Sequence, residues 1–171
     1  IPDDVHLILA EKDVIPWGNE GFVPFTLLSI IETGLRFPVQ PLICEFLMQT
    51  RLCPTQLSTN SYRIIMGIAE LNRQAGLNLG LAEIFHQHSI GSKEDGCVYY
   101  LRIRRRREKI IKNTPDKDLN DDDFFWVSGN FEDYQAQIPG RPINWKKGEP
   151  GKFTSGFFLA FFILRFFNLS V

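Results

Sequence analysis

Apolar residues recur at helical spacing in two neighbouring stretches of the first half of the chain. In the first stretch, Leu42, Ile43, Phe46 and Leu47 form one stripe directly after Pro41. Pro41 suits the first turn of a helix, because the N–H that proline lacks has no partner there. The pattern therefore predicts a helix that begins near residue 41, and Pro54 ends any continuation of it.

The second stretch has helix-capping residues at both ends. Ile64, Ile65 and Ile68 lie on one face, after the serine, threonine and asparagine residues of positions 58–61. One of those side chains is expected to accept a hydrogen bond from the first turn. Gly76 stands where a left-handed C-cap glycine is expected. The two helices together predict a structural helical hairpin, and a DNA-reading helix-turn-helix is the alternative.

Two further helices and two strands complete the pattern. Pro24 predicts a helix that ends near Gly34, and a helix is expected over about 79–89. CVYYLRIRR predicts a strand in which Val98, Tyr100 and Ile103 alternate with more polar positions, although the alternation slips once. FFWVSG, at 124–129, predicts the second strand. Helices first and strands afterwards predict an α+β fold, with a bundle of about four helices followed by a small antiparallel β element.

The last segment, 152–171, is an apolar C-terminal tail. It runs for nine apolar residues before Arg165, whereas a membrane-spanning helix needs about 20. Membrane anchoring by the tail is therefore disfavoured, and the tail is expected to stand outside the domain.

Composition places the chain among ordinary globular proteins. Its 171 residues carry a net charge of −1, which gives no general attraction to nucleic acid or to anionic membranes. Cys44, Cys53 and Cys97 are an odd number without a CxxC pair, which argues against a disulfide framework and a zinc ribbon. We expect an intracellular location, nuclear or cytoplasmic. The start at Ile1 indicates a fragment or a piece of a longer polyprotein.

One dense basic run is the strongest candidate for binding. It comprises Arg102, Arg104, Arg105, Arg106, Arg107 and Lys109. Guanidinium groups suit phosphate oxygens because they are planar, permanently charged and bidentate. The adjacent Tyr99 and Tyr100 are candidates for stacking on exposed bases. The run therefore indicates nucleic-acid binding, and the alternative is a solvated strand end that the acidic loop at 116–123 neutralises.

The acidic residues do not predict a reaction centre. Asp116, Asp118, Asp121, Asp122 and Asp123 lie in one polar loop. Metal-dependent nucleases need carboxylates that converge from separate elements, whereas neighbours in a loop point apart. His86 and His88 are two residues apart, and on a helix such positions face different sides. We predict no catalytic residue, no metal, no cofactor and no small-molecule substrate.

The stretch GLRFPVQPLICEFL, followed by PTQLSTNSYRIIMGIAEL, resembles the gypsy-type transposase domain of plant transposable elements. Thr59 and Tyr62 depart from that family, which tends to have proline and tryptophan there. The resemblance covers about residues 22–147. It divides the chain into a lead-in of residues 1–21, expected to be irregular, a domain of residues 22–151 and the tail. The match is carried by Gly34, Leu35, Arg36, Phe37, Pro38, Pro41, Leu47, Pro54, Gln56, Leu57, Asn60, Ser61, Arg63 and Gly67.

The resemblance implies an origin in a plant retrotransposon and brings no catalytic residues with it. We therefore expect a non-catalytic domain that acts in self-association or in nucleic-acid binding, with nucleic acid or other copies of the chain as partners. The alternatives are a nuclease or transposase-type enzyme of element mobility and a degenerate transposon fragment without activity.

Overall fold

The computed structural model describes residues 3–10, 21–93, 97–112, 114 and 123–131. Within these ranges the chain forms four helices and five strands in two antiparallel sheets. The strands are β1 Val5–Leu9, β2 Val23–Thr26, β3 His88–Ser92, β4 Tyr99–Ile103 and β5 Phe124–Gly129. The helices are α1 Leu27–Ile31, α2 Pro41–Thr50, α3 Thr59–Ala75 and α4 Leu81–Gln87, with a short 3-10 helix at Pro54–Gln56.

The predicted start of α2 and both predicted ends of α3 are confirmed. Pro41 is the first residue of α2, which ends where Arg51 takes a left-handed φ of 56°. The Ser58 hydroxyl accepts a hydrogen bond from the Ser61 N–H at 3.3 Å and caps α3. Gly76 ends α3 with a φ of 63°, a conformation that glycine adopts without steric cost.

The larger sheet has the strand order β1-β5-β2, with β5 in the centre. Val127 of β5 lies opposite Leu7 on one side and Val23 on the other. Successive side chains of a strand point to opposite faces, so these three residues share one face, and all three pack in the core. The second sheet is the hairpin of β3 and β4, in which Ile90 lies opposite Leu101.

The core draws side chains from both sheets and from α2, α3 and α4. Phe25, Phe46, Tyr62 and Ile65 are fully buried. The Tyr62 hydroxyl donates to the Pro54 carbonyl at 3.0 Å, so this buried polar group is satisfied. Burial raises the pKa of Tyr62 well above its usual range and keeps the phenol neutral.

The N-terminus of α3 is joined to the free edge of β4. The Ser58 N–H donates to the Tyr99 carbonyl at 2.8 Å, and the Leu101 N–H donates to the Ser61 hydroxyl at 2.8 Å. Both groups of β4 are thereby paired on the side away from β3. Because unpaired buried N–H and C=O groups are costly, these bonds fix the hairpin against the helix.

The predicted order of a helical bundle followed by strands is wrong. The first strand is Val5–Leu9, inside the segment expected to be irregular, and the helix predicted to open at Pro24 begins instead at Leu27, after β2. β2 is an edge strand, where a proline removes no ladder hydrogen bond. The two strands predicted to form one β element, β4 and β5, lie in different sheets.

Among the described helices, none combines the length and the apolar character that crossing a bilayer requires. The apolar tail at 152–171 lies outside the described residues.

Candidate nucleic-acid interface

The predicted basic run begins in the last residues of β4 and continues beyond the strand. We call residues 102–112 the basic segment. It carries seven basic residues and one acidic residue, Glu108. All eight of these charged residues are exposed. The ion pairs Arg63–Glu32 at 2.8 Å and Arg73–Glu70 at 2.6 Å lie outside the segment. The acidic residues at 116–122 lie outside the described part of the chain.

Arg104 fixes the first end of the basic segment to the C-terminus of α4. Its backbone N–H donates to the Gln87 carbonyl at 2.9 Å. Its Nε lies 3.1 Å from the Phe85 carbonyl and 3.2 Å from the His88 carbonyl. The last carbonyls of a helix have no partner within the helix and carry partial negative charge, so a guanidinium is favourable there. Arg104 is therefore an anchor as well as a surface charge.

Ile111 fixes the other end of the segment to α3. A Cβ built at Gly67 would lie 2.9 Å from Ile111 Cδ1 and 3.0 Å from Cγ1. Gly67 thus leaves a notch in the helix surface, and the Ile111 side chain occupies it. Glycine inside a helix costs about 1 kcal/mol relative to alanine, and the close contact with Ile111 accounts for its presence.

A tight turn lies between the two anchors. The Arg107 N–H donates to the Arg104 carbonyl at 3.2 Å, and Arg106 has a φ of 65°. A left-handed backbone favours glycine, and an arginine there carries a small conformational cost. The turn presents Arg105, Arg106 and Arg107 together on the surface.

The two candidate tyrosines lie on opposite faces of the β3–β4 hairpin. Tyr99 is only 2% exposed and packs in the core, where burial raises its pKa. Its ring is therefore not accessible for stacking on a base. Tyr100 lies on the outer face with Arg102 and is half-buried. The inward positions of this strand are Tyr99, Leu101 and Ile103. Of the residues predicted to alternate with polar positions, Ile103 therefore faces inward, whereas Tyr100 faces outward.

Tyr100 has a partner that the sequence pattern did not identify. Gly91 lies directly across the hairpin from it. A Cβ built at Gly91 would lie 2.8 Å from Tyr100 Cζ, so the tyrosine ring lies against the bare backbone of β3. Gly91 is the first residue of GSKEDG, whose glycines and polar residues are typical of a loop, yet Gly91 lies within β3. A glycine within a strand indicates the close approach of another group, and that was the available signal.

Several residues that carry the family resemblance make contacts that hold the fold together. Gln56 is fully buried, and its Oε1 accepts from the Cys53 N–H at 3.2 Å. Arg63 donates to the Asn60 side chain at 3.0 Å and to Glu32 at 2.8 Å, which joins α3 to the residue after α1. The remaining positions differ in burial. Leu35, Leu47, Pro54, Leu57 and Ser61 are buried, Phe37 is half-buried, and Gly34, Arg36, Pro38 and Pro41 are exposed.

The described residues hold no group of three or more His, Cys, Asp or Glu side chains suited to a metal ion. Asp123 is exposed and directly precedes β5, and its carbonyl accepts from the Leu27 N–H at 3.0 Å. The other aspartates of the acidic loop lie outside the described residues. His86 is exposed, whereas His88 is buried, with its Nδ1 3.2 Å from the Ile84 carbonyl.

Comparisons with protein-family models, with curated proteins and with solved structures found no match to this chain.

Proposed function

We propose that this chain is a non-catalytic nucleic-acid-binding domain of plant retrotransposon origin, and that the basic segment contacts phosphates. The GLRFP-containing motif supports the origin. The role is supported by one observation: exposed arginines and lysines lie on a segment fixed at both ends, by Arg104 on α4 and by Ile111 on α3. Because the segment is already held at both ends, less entropy is lost when it binds a ligand.

The left-handed backbone of Arg106 further supports the proposal. Glycine would relieve its conformational cost, yet an arginine stands at the tip of the turn. Strained residues often occupy functional sites, and here the retained group is a cation. A nuclear or cytoplasmic location, where nucleic acid is available, belongs to the same proposal.

The test replaces Arg105, Arg106 and Arg107 together with serine and leaves the anchor Arg104 in place. Binding to a labelled 20-nucleotide oligonucleotide is measured by fluorescence anisotropy at several salt concentrations. Each lost phosphate contact lowers the slope of log K against log salt by about 0.7 for single strands or 0.9 for duplex. We expect the triple variant to reduce the slope by roughly 2 to 3.

The matched control compares single charges. Arg105→Ser removes one arginine from the turn, and Arg36→Ser removes one exposed arginine outside the basic segment. Arg105→Ser should lower the salt slope by the amount expected for one phosphate contact, about 0.7 for single strands or 0.9 for duplex, and Arg36→Ser should leave the slope unchanged. Equal effects of the two variants, or an unchanged slope in the triple variant, would refute phosphate binding by this segment.

Self-association is a second candidate, favoured by the edge of the larger sheet. β1 is an edge strand, and its Ile8 and Leu9 are 51% and 60% exposed. Exposed apolar edge strands pair readily with further chains. Analytical ultracentrifugation tests this candidate: Ile8→Lys should shift an oligomer towards monomer, and an exclusively monomeric wild-type protein would rule it out.

A further inference from the structure

The outer face of the β3–β4 hairpin combines one aromatic ring with a neighbouring cation. Tyr100 and Arg102 are two residues apart on β4, so their Cα atoms are about 6.7 Å apart on the same face. The residues opposite them on β3 are Gly91 and Ser89. Because both are small, β3 places no bulky side chain beside the tyrosine ring.

The position of the Tyr100 ring is set by the backbone of β3. Two ring atoms, Cζ and Cε2, and the hydroxyl oxygen Oη lie 2.8, 2.9 and 3.0 Å from the position of a Cβ at Gly91. A side chain at position 91 would therefore displace the ring. The tyrosine remains partly exposed in this position. An aromatic ring that is held in place and partly accessible loses little entropy when another ring stacks on it.

We propose that the outer face of the hairpin receives single-stranded nucleic acid, with an unpaired base on Tyr100 and the flanking phosphates on Arg102 and the turn arginines. This proposal rests on the function proposed above and adds the form of the ligand. Aromatic side chains stack on bases that are free of their duplex neighbours, and stacking is tolerant of sequence. Duplex DNA offers the same phosphates without a free base face, so the aromatic–basic combination favours the single strand.

The experiment compares a labelled 20-nucleotide oligothymidine with a duplex of the same length, by anisotropy at several salt concentrations. We expect the wild-type protein to bind the single strand more tightly. Tyr100→Phe keeps the ring and should keep the affinity. Tyr100→Leu should weaken single-strand binding by about 5- to 150-fold, the change that corresponds to about 1–3 kcal/mol for one stacked base. Its salt slope should not change, because no charge is removed.

Gly91→Val provides a second variant that leaves the tyrosine itself intact. It should displace the ring and weaken single-strand binding, while duplex binding through the turn arginines remains. Thermal unfolding of each variant establishes that it is folded. If Tyr100→Leu or Gly91→Val does not fold, the wild-type preference for single strand over duplex decides alone.

The outcomes separate the two proposals. Equal affinity for single strand and duplex, with a normal salt slope, would overturn the single-strand inference and leave phosphate binding intact. Unchanged single-strand affinity in a folded Tyr100→Leu protein would overturn it as well. Failure to bind either oligonucleotide at low salt would remove both proposals together.

Discussion

Replacing Ser61 with alanine tests the link between α3 and β4 on which the candidate interface depends. The Ser61 hydroxyl accepts from the Leu101 N–H at 2.8 Å and lies 2.9 Å from the Ser58 hydroxyl. Ser61 is 1% exposed and Leu101 is 9% exposed. The substitution therefore leaves a buried N–H without its acceptor, which costs about 1–3 kcal/mol. Only a hydroxyl is removed, so the volume of the resulting cavity adds little.

Urea unfolding followed by circular dichroism measures this cost. With a slope of about 2 kcal/mol per molar urea, a loss of 2 kcal/mol moves the midpoint down by about 1 M. Amide hydrogen exchange should also be faster at Leu101, because its N–H has lost its partner. Ser89→Ala is the matched control: it removes a hydroxyl from the same hairpin, where Ser89 donates to the Arg102 carbonyl at 3.3 Å on the exposed side.

We expect Ser89→Ala to change the unfolding free energy by no more than about 0.5 kcal/mol. The reasoning fails if Ser61→Ala and Ser89→Ala have equal midpoints. It also fails if Leu101 exchanges at the wild-type rate, since that result would mean that the helix does not hold this edge of β4.

Three further predictions concern separate parts of the fold. Gly129 has a φ of 89°, and Gly129→Ala would place a Cβ 1.9 Å from the Asp4 carbonyl oxygen. Backbone strain alone costs about 1–3 kcal/mol, so the unfolding free energy should fall by more than that amount. An unaltered urea midpoint would contradict this. Burial, with the Arg104 charge adding to it, lowers the pKa of His88, so the unfolded chain binds more protons and stability should fall as the pH drops below about 6.5. In His88→Gln the thermal midpoint should depend less on pH between 7 and 5, and an equally steep dependence would argue against the assignment. Ile111→Ala should lower the unfolding free energy by roughly 1–2 kcal/mol and speed trypsin cleavage in the basic segment, and wild-type cleavage kinetics would show that Ile111 is no anchor.

Local signals predicted the elements whose ends are set by their own residues. Pro41, Ser58 and Gly76 act within one turn of the helices that they begin or end, so α2 and α3 could be placed from the sequence. β5 matches the predicted FFWVSG because its aromatic and β-branched residues are bounded by a polar loop and by Gly129.

The elements that were missed depend on distant partners. β1 and β2 are short, and within the described residues each pairs with β5 alone, roughly 100 residues or more away along the chain. β2 has four residues and contains Pro24, and in the sequence alone this proline indicates the start of a helix. A strand is the better interpretation only once β2 is known to lie at the edge of the sheet, where proline is tolerated. β3 begins at His88 directly after α4, so no turn residues mark the change.

The candidate site was predictable in its charge and not in its geometry. The arginine run is visible in the sequence, but the sequence could not show that Arg104 anchors the run on α4. Nor could it decide which tyrosine faces outward, because strand alternation fixes the faces only after the register is known. The register follows from the pairing of Gly91 with Tyr100 and of Ile90 with Leu101.

The central position of β5 constrains how this chain is completed on the ribosome. β1 and β2 emerge first but have no strand between them until residues 124–129 have been synthesised. The contacts between α2 and α3 are local and become possible much earlier, after residue 75. A nascent chain that stalls before residue 124 would therefore expose two unpaired apolar strands beside a formed helical pair, and it would be a substrate for chaperones.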